Sequence, residues 1–243
     1  MKIITWNCSG KFRERFESLL DLNADLLVIQ ECENPAEAKD KKYKDWAATN
    51  YLWIGDTKHK GLGVFAKQNI KLERLNWSDT YKDDITTIAD HKVKHFLPCS
   101  VNGHFDLIGV WTHHNNSPNF GYIGQFWKYL QVNKSKLNNS IIAGDFNSNA
   151  IWDESDRWWN HTDVINELKE IGIESLYHKI RNEKHGKESQ HTFTHRALKK
   201  SYHIDYCFAS KLFADKVKIV TVEPFEKWKH LSDHSPLIFT FEE

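Results

Sequence analysis

The sequence predicts a mixed α/β domain in which two β-sheets pack against each other with helices on the outside. Short apolar strands alternate with amphipathic segments from end to end, and the strands are numerous for a chain of 243 residues. No stretch rich in Pro, Gly or Ser divides the chain, and no internal repeat is found in it. We therefore expect one domain that covers residues 1–243.

The first half of the chain is rich in strand-like runs. Residues 2–7 and 26–29 are apolar strands, and the apolar residues between them, from Phe12 to Leu20, recur at helical spacing. Further strand-like runs follow with few helical signals between them, so we expect antiparallel pairing in this part of the chain. These runs are residues 51–54, 62–66, 70–75, 93–97 and 104–111.

The second half alternates helices with strands. Apolar residues at helical spacing predict helices over 123–137 and 164–171, the second of which ends at Gly172. The predicted strands are residues 141–143, 192–194, 203–208, 217–223 and 236–241. Polar segments, expected as surface loops, lie at residues 39–45, 113–120 and 181–201.

The composition excludes some classes of protein. Lys plus Arg total 33 and Asp plus Glu total 33, which argues against binding of DNA through bulk charge and leaves only a local basic patch open. No cysteine has the spacing of a zinc ligand, so we expect buried, reduced thiols at Cys8, Cys32, Cys99 and Cys207. We see neither a signal peptide nor an apolar run long enough to span a membrane, and expect a cytoplasmic protein without membrane contact.

Five polar clusters lie at the ends or edges of apolar strands, where ligand sites of α/β proteins are commonly found, and a sixth places an Asp inside a strand. They are Trp6-Asn7, Gln30-Glu31, Thr112-His113-His114-Asn115-Asn116, Gly144-Asp145-Phe146-Asn147-Ser148, His203-Ile204-Asp205-Tyr206 and Leu231-Ser232-Asp233-His234-Ser235-Pro236.

The carboxylates of two of these clusters, Asp145 and Glu31, suggest an activated water and a bound cation. In an extended segment Asp145 and Asn147 face the same way, so that the carboxylate can deprotonate a water that the amide holds in place; an ordinary turn is the alternative. Glu31 ends a buried strand, where an unpaired charge is costly. A hard cation such as Mg²⁺ is one natural partner for it, and a salt bridge is the other.

The histidines suggest phosphate chemistry. His234 lies in a turn beside Asp233, and Asp205, which we expect inside a strand, could fix its tautomer. His113 ends a strand and could stabilise negative charge on a phosphate, with Asn116 close enough in sequence to reach the same oxygen. For a single histidine near a turn, a plain surface position is the alternative.

Together, the order and spacing of these clusters resemble the endonuclease/exonuclease/phosphatase superfamily. The resemblance runs from residue 3 to residue 238, and its most specific parts are Gly-Asp-Phe-Asn at 144–147 and Ser-Asp-His-Ser-Pro at 232–236. That superfamily includes deoxyribonuclease I, exonuclease III-type repair enzymes, neutral sphingomyelinases and inositol polyphosphate phosphatases.

The resemblance implies a four-layer α/β sandwich with its site at one edge. It implies Mg²⁺ or Mn²⁺ at Asn7 and Glu31, with Asp233 as a ligand of this metal or of a second one. It implies Asp145 and Asn147 around the attacking water. The remaining roles that it implies are a paired His234 and Asp205, and a phosphate-binding His113.

The substrate is less closely defined than the reaction. The chain lacks the Trp-Cys-Asp-Arg signature of inositol polyphosphate phosphatases and any apolar insertion for docking on a membrane. A nuclease is therefore favoured, on DNA rather than RNA. A phosphodiesterase or phosphatase acting on a small-molecule, inositol or lipid phosphoester stays an alternative. So does a non-catalytic binding module, although no site residue is missing, and no protein partner can be inferred.

Two surface features bear on nucleic-acid binding. Trp152, Trp158, Trp159 and Tyr202 could offer stacking surfaces beside the site, or could simply pack their loops down. The basic loop at residues 181–201 could follow a phosphate backbone, or could be a solvated face.

Overall fold

The computed structural model describes residues 1–81, 91–114 and 120–242. In this part of the chain the strands are β1 (Lys2–Asn7), β2 (Leu26–Cys32), β3 (Tyr51–Thr57), β4 (Lys60–Ala66), β5 (Leu72–Arg74), β6 (Thr80–Tyr81), β7 (His91–Lys92), β8 (Phe96–Val101), β9 (Phe105–Trp111), β10 (Ser140–Asp145), β11 (Ile173–Ser175), β12 (Phe193–His195), β13 (Lys200–Tyr202), β14 (Asp205–Ser210), β15 (Val217–Val222) and β16 (Leu237–Phe241).

In the described ranges the helices are fewer than the strands, and most of them are short. The α-helices are α1 (Lys41–Ala47), α2 (Ile123–Asn133), α3 (His161–Glu170), α4 (Leu176–Arg181), α5 (Lys211–Ala214) and α6 (Phe225–Trp228). Short 3-10 helices cover Phe12–Glu14, Phe16–Leu22, Pro35–Glu37, Lys134–Asn139 and Ala150–Trp152. None of the helices in the described ranges is long and apolar enough to cross a membrane. A cytoplasmic location stays a prediction.

Two six-stranded sheets form the centre of the molecule. The strand order is β15-β16-β1-β2-β4-β3 in one sheet and β11-β14-β10-β9-β8-β5 in the other. Both sheets are mixed, because β1 pairs with β2 and β9 with β10 in parallel while the other pairings are antiparallel. The antiparallel pairing expected between residues 51 and 111 is therefore present.

Apolar residues on both faces of the strands build the layers. Successive side chains point to opposite faces of a strand, so Ile3 packs between the two sheets while Ile4 packs outward beneath the first 3-10 helices. The outer face of the second sheet is covered by α2 and α3, whose Phe126 and Leu168 lie in a third apolar cluster. The result is the four-layer sandwich of two mixed sheets flanked by helices, as expected.

Several local expectations need correction. Residues 39–45 are not a loop but lead into α1, because the Asp40 side chain accepts a hydrogen bond from Tyr43 N at 2.8 Å and caps that helix. The helical spacing from Phe12 to Leu20 forms 3-10 helices instead of an α-helix. The segment 181–201 contains part of the β12–β13 hairpin. The loop predicted at 113–120 lies partly outside the described residues, whereas the four cysteines are free and buried as expected.

Candidate active site

The candidate active site lies at one shared edge of the two sheets. The parallel strands β1, β2, β9 and β10 all end there, while the antiparallel strands β14 and β16 begin there. A direct contact joins the sheets at this edge, since Asn7 Nδ2 donates to Asp145 Oδ2 at 3.0 Å. Described residues of polar clusters that are scattered along the chain therefore reach one edge, because strand direction brings these strand ends together and the packing of the two sheets joins them.

Asp145 is the buried centre of this edge. It is fully buried, and its carboxylate accepts hydrogen bonds from Asn7 and from both the backbone and the side chain of Asn147. Gly144 before it allows β10 to approach β9 closely, because a Cβ there would lie 1.8 Å from Val110 O. A side chain at this position would push Asp145 out of the site.

Asn147 reaches Asp145 through a turn. The strand ends at Asp145, and Asn147 has a left-handed φ of 45°. Its backbone N–H donates to Asp145 Oδ1 at 2.8 Å, and its side-chain amide donates to Asp145 Oδ2 at 3.0 Å and to Thr112 O at 2.8 Å. The two side chains do meet, but the predicted reason, a common face of an extended segment, was wrong.

Asp205 and His234 form a hydrogen-bonded pair. His234 Nδ1 donates to Asp205 Oδ2 at 2.9 Å, and both residues are buried. Asp205 begins β14 instead of lying inside a strand, and it stands opposite Asp145 in the β10–β14 register. His234 precedes β16, which belongs to the other sheet, so the contact crosses between the sheets instead of between neighbouring strands.

The turn that carries His234 is fixed by Ser232 and Trp6, which stand in two of the six clusters but had no role of their own in the sequence analysis. Ser232 Oγ donates to Asn7 O at 2.7 Å and accepts from His234 N at 3.0 Å. Trp6 Nε1 donates to His234 O at 3.0 Å. The pair Trp6-Asn7 at the end of β1 thus holds the histidine turn as well as Asp145.

The pKa values of Asp145 and His234 are both raised, but for different reasons. Burial, reinforced by the charge of Asp205, raises the pKa of Asp145 to about 7. Burial disfavours the charged form of His234, but the Asp205 carboxylate outweighs burial and raises the pKa of His234 to about 9. At neutral pH His234 is therefore an imidazolium with two N–H donors.

Glu31 lies at a bulge instead of at a strand end. The strand β2 continues to Cys32, but its register with β4 shifts between Gln30 and Cys32, and Glu31 has a φ of 63°. The bulge leaves Glu31 half-buried beside Lys60, whose Nζ lies 2.9 Å from Glu31 Oε2. In the described structure Glu31 thus forms the salt bridge that the sequence left open as an alternative.

His113 follows β9 and contacts a second histidine. Its Nε2 lies 2.7 Å from His95 Nδ1, and its ring packs against Trp111. Burial lowers the pKa of His113, and burial together with His113 lowers the pKa of His95 to about 4. Both imidazoles are therefore neutral at pH 7.

The other two predicted residues are less closely tied to this cluster. The Asp233 side chain is partly exposed and its Oδ1 lies 3.5 Å from Ser232 Oγ, while its backbone oxygen accepts from Thr194 N at 2.8 Å. Asn116 lies outside the described residues. Sequence reasoning missed His95 and Lys60, because neither stands in one of the six clusters, and it assigned no role to Ser232, although Ser232 stands in one of them.

The donors at this edge fit a hard divalent cation. One ligand atom each of Asp145, Asp205 and His234 lies within 4.8 Å of the others. Asp205 Oδ1 is buried and has no hydrogen-bond partner among the described residues, so a buried lone pair is left over. Carboxylate and amide oxygens dominate the edge, and these are the ligands that Mg²⁺ and Mn²⁺ prefer.

A cavity with aromatic walls opens beside Asn147. Its volume is about 500 Å³. Trp152 and Tyr202 line it with ring centroids 4.9 Å apart, and Trp152 is 44% exposed. Trp159 lines the cavity too, whereas Trp158 is 66% exposed and contacts Phe120. Part of the aromatic surface is thus free for stacking, as one of the two sequence interpretations has it.

These features define the chain as a four-layer α/β sandwich with an acidic site at the shared edge of its sheets. The chain belongs to the Endonuclease/Exonuclease/phosphatase family, whose family model matches residues 4–234. A search among curated protein sequences finds no match.

Solved structures with the same fold include several enzymes. A 3' phosphatase from Neisseria, bound to a product DNA hairpin, is 18% identical with a TM-score of 0.71, and 100% of each chain is covered. An AP endonuclease from Archaeoglobus fulgidus is 17% identical with a TM-score of 0.68 and the same full coverage. TDP2 from D. rerio with a single-strand DNA product is 16% identical with a TM-score of 0.59, covering 100% of this chain and 99% of that one. At these identities the likeness shows the fold.

Proposed function

We propose that this chain is a Mg²⁺- or Mn²⁺-dependent nuclease that hydrolyses phosphodiester bonds in DNA. The observation that carries the proposal is the convergence of Asp145, Asn147, Asp205 and His234 at one edge of the sheets, with the Asp205–His234 hydrogen bond already formed. The three similar structures are described as a 3' phosphatase, an AP endonuclease and TDP2, two of them with DNA product. They support a nucleic-acid substrate over a lipid.

The protonation states of the residues give them different roles in the reaction. Asp145 has a pKa near neutrality and accepts the proton of the attacking water, which the Asn147 amide orients. His234 is an imidazolium and donates a hydrogen bond from Nε2 to a phosphate oxygen, while Asp205 holds its other nitrogen. His113 is neutral and offers a weaker donor to the same phosphate group.

Asn7, Glu31 and Asp233 would hold the cation. A bound divalent ion supplies positive charge that polarises the phosphoryl group and neutralises the charge developing on it. Glu31 would have to exchange its contact with Lys60 for the ion. That exchange costs little, because Lys60 is half-exposed and surface ion pairs contribute about 0–1 kcal/mol.

The aromatic cavity supports a nucleotide substrate. Trp152 and Tyr202 line it next to Asn147, so a base attached to the reacting phosphate could stack there. Stacking of a base on an aromatic side chain contributes about 1–3 kcal/mol, whatever the base. A lipid or an inositol phosphate would make no comparable use of these rings.

Hydrolysis of plasmid DNA, single-stranded DNA, RNA and a generic phosphodiester, each with Mg²⁺, Mn²⁺ or excess chelator, tests this function. We expect cleavage of DNA that needs the cation and that Asp145→Asn lowers by roughly 10²–10⁴. The exposed Asp21 provides the matched control, since it precedes β2 and Asp21→Asn removes a charge at the opposite end of that strand from the site. Full turnover in chelator, or a preference for the generic phosphodiester, would overturn the proposal.

A further inference from the structure

A second buried cluster of titratable side chains lies behind the active-site turn. We call it the histidine cluster: His161 at the start of α3, His178 on α4, His185 and Glu188 in the segment after α4, and His203 before β14. Hydrogen bonds from Ser148 and Asn149, which follow Asn147, reach this cluster. The sequence interpretation placed residues 181–201 in a surface loop and so gave His185 and Glu188 no role.

Three members of the cluster have the spacing of metal ligands. One ligand atom each of His178, His185 and Glu188 lies within 4.8 Å of the others. His178 Nε2 lies 3.1 Å from Glu188 Oε1, and two ligands on one tetrahedral zinc ion lie about 3.3 Å apart for bonds of about 2.0–2.1 Å. The rings of His178 and His185 stack, so binding would turn one of them about χ2 until both nitrogens face the ion.

The hydrogen bonds around the cluster are consistent with one set of tautomers. His161 Nδ1–H can donate to Ser148 Oγ at 3.1 Å, and His161 Nε2 can then accept from His185 Nδ1–H at 3.0 Å. His178 Nδ1–H can donate to Ser175 Oγ at 2.7 Å. In this arrangement Nε2 of His178 and Nε2 of His185 both keep a free lone pair, and each ligand ring has the outer hydrogen bond typical of metal-binding histidines.

The charge balance also favours a cation. The Glu188 side chain is only 4% exposed and, within the described ranges, its ion-pair partner is His178. Asn149 Nδ2 donates to Glu188 Oε2 at 3.1 Å, and Gly186 N donates to Glu188 Oε1 at 3.0 Å. A buried carboxylate thus lies among imidazoles, whose neutral form binds metal.

We propose that His178, His185 and Glu188 form a structural site for a zinc-type divalent ion, distinct from the oxygen-rich cation site of the active-site edge. Imidazole nitrogens select Zn²⁺ over Mg²⁺, whereas carboxylate and amide oxygens select Mg²⁺. The ion would fasten the segment after α4 to that helix, and through Asn149 and Ser148 it would support the turn that carries Asn147. His203 Nε2, which is buried without a partner among the described residues, belongs to the same pocket of imidazoles.

Zinc content and thermal stability test this site without relying on activity. The protein is stripped with chelator, dialysed against micromolar free Zn²⁺ and measured for bound zinc per chain by mass spectrometry. The measurements are made in the Asp145→Asn His234→Ala background, which disables the other group of possible ligands. We expect one zinc ion per chain, and at about 100 times Kd a rise in Tm of roughly 5–10 °C. Co²⁺ in place of zinc should give the visible absorption of a tetrahedral nitrogen site.

Two variants and one control make the result decisive. Glu188→Gln keeps the shape of the side chain, and His185→Ala removes a ring from the partly exposed segment; both should lose the zinc ion and the rise in Tm. His104→Ala, an exposed histidine at the opposite end of β9, should keep both. Absence of bound zinc in the parent protein, or zinc retained by both Glu188→Gln and His185→Ala with unchanged circular dichroism, would overturn the proposal.

Discussion

Two histidines at the shared edge of the sheets, His234 and His113, lie in similar surroundings but differ in charge. Each is largely withdrawn from solvent, and each contacts one other side chain through a ring nitrogen. The partner of His234 is the Asp205 carboxylate at 2.9 Å, and the pKa of His234 is raised to about 9. The partner of His113 is the His95 imidazole at 2.7 Å, and the pKa values of both rings are lowered.

The difference shows that the partner of a buried histidine, more than burial itself, decides its charge. Burial lowers the pKa of both rings, since it penalises the imidazolium in each case. A carboxylate at hydrogen-bond distance reverses that effect at His234, whereas the partner of His113 is not a carboxylate; at His95, His113 adds to the effect of burial. One side of the site therefore holds a charged donor for the phosphate, and the other side holds a neutral one.

The largest effect should come from removing the charged pair. His234→Ala is expected to lower kcat by roughly 10²–10⁴, since it removes the imidazolium that faces the phosphate. Residues that act as a unit are non-additive, so Asp205→Ala with His234→Ala should cost little more than His234→Ala alone. Steady-state kinetics of the two single variants and the double variant check this. Rate losses that multiply would mean that the two residues act independently.

A sharper test makes the surroundings of His234 resemble those of His113. Asp205→Asn keeps the size of the side chain but removes its charge, so the pKa of His234 should fall from about 9. The loss of activity should then be larger at pH 8 than at pH 6, because the neutral amide no longer keeps the ring protonated at the higher pH. Titration of the His234 ring by NMR, alongside the pH profile, measures both. An unchanged ring pKa would contradict the role of the carboxylate.

The neutral side of the site should matter less. His113→Gln removes one neutral donor and should lower kcat by roughly 10–10², which corresponds to about 1.5–3 kcal/mol for a hydrogen bond to a charged group. The shape of the pH profile above pH 7 should not change, because burial lowers the pKa of His113 and the ring is already neutral there. His104→Gln, at the opposite end of β9, is the matched control. A loss as large as that of His234→Ala would remove the asymmetry between the two histidines.

The sequence predicted that the residues around the charged His234 would lie close together. Asn7, Asp145 and His234 stand where apolar strands end or begin, and strand direction brings such positions to one edge. The placement of Asp205 in a strand suggested that it pairs with His234, and the resemblance to the family implied the same pair. What the sequence did not show is that this contact crosses between the two sheets, because the packing of one sheet on the other leaves no local pattern in either strand.

The contacts of His113 and of Glu31 could not be predicted from the sequence in the same way. His95 meets His113 only because β8 pairs with β9 in a register that places Phe96 opposite Val110. Glu31 meets Lys60 only because a bulge interrupts β2 at that residue. Registers and bulges depend on pairings between distant residues, so the motifs at the strand ends carried no signal of either contact.

The smallest effect concerns the folding stability that the protein loses in acid because His95, the neutral partner of His113, must be protonated. The pKa of His95 is lowered from 6.5 to about 4 in the folded protein, so between those pH values the unfolded chain binds more protons than the folded one. Stability therefore rises with pH through this window and falls as the pH drops, by about 1.4 kcal/mol per pH unit at most. His95→Gln cannot titrate, so its loss of stability from pH 7 to pH 5 should be about 1–2 kcal/mol smaller than that of the wild type. Urea unfolding at the two pH values measures the difference, with the exposed His104→Gln as the control. If His95→Gln lost as much stability in acid as His104→Gln does, then His95 would be protonated in the folded protein. His95 and His234 would then differ in position but not in charge.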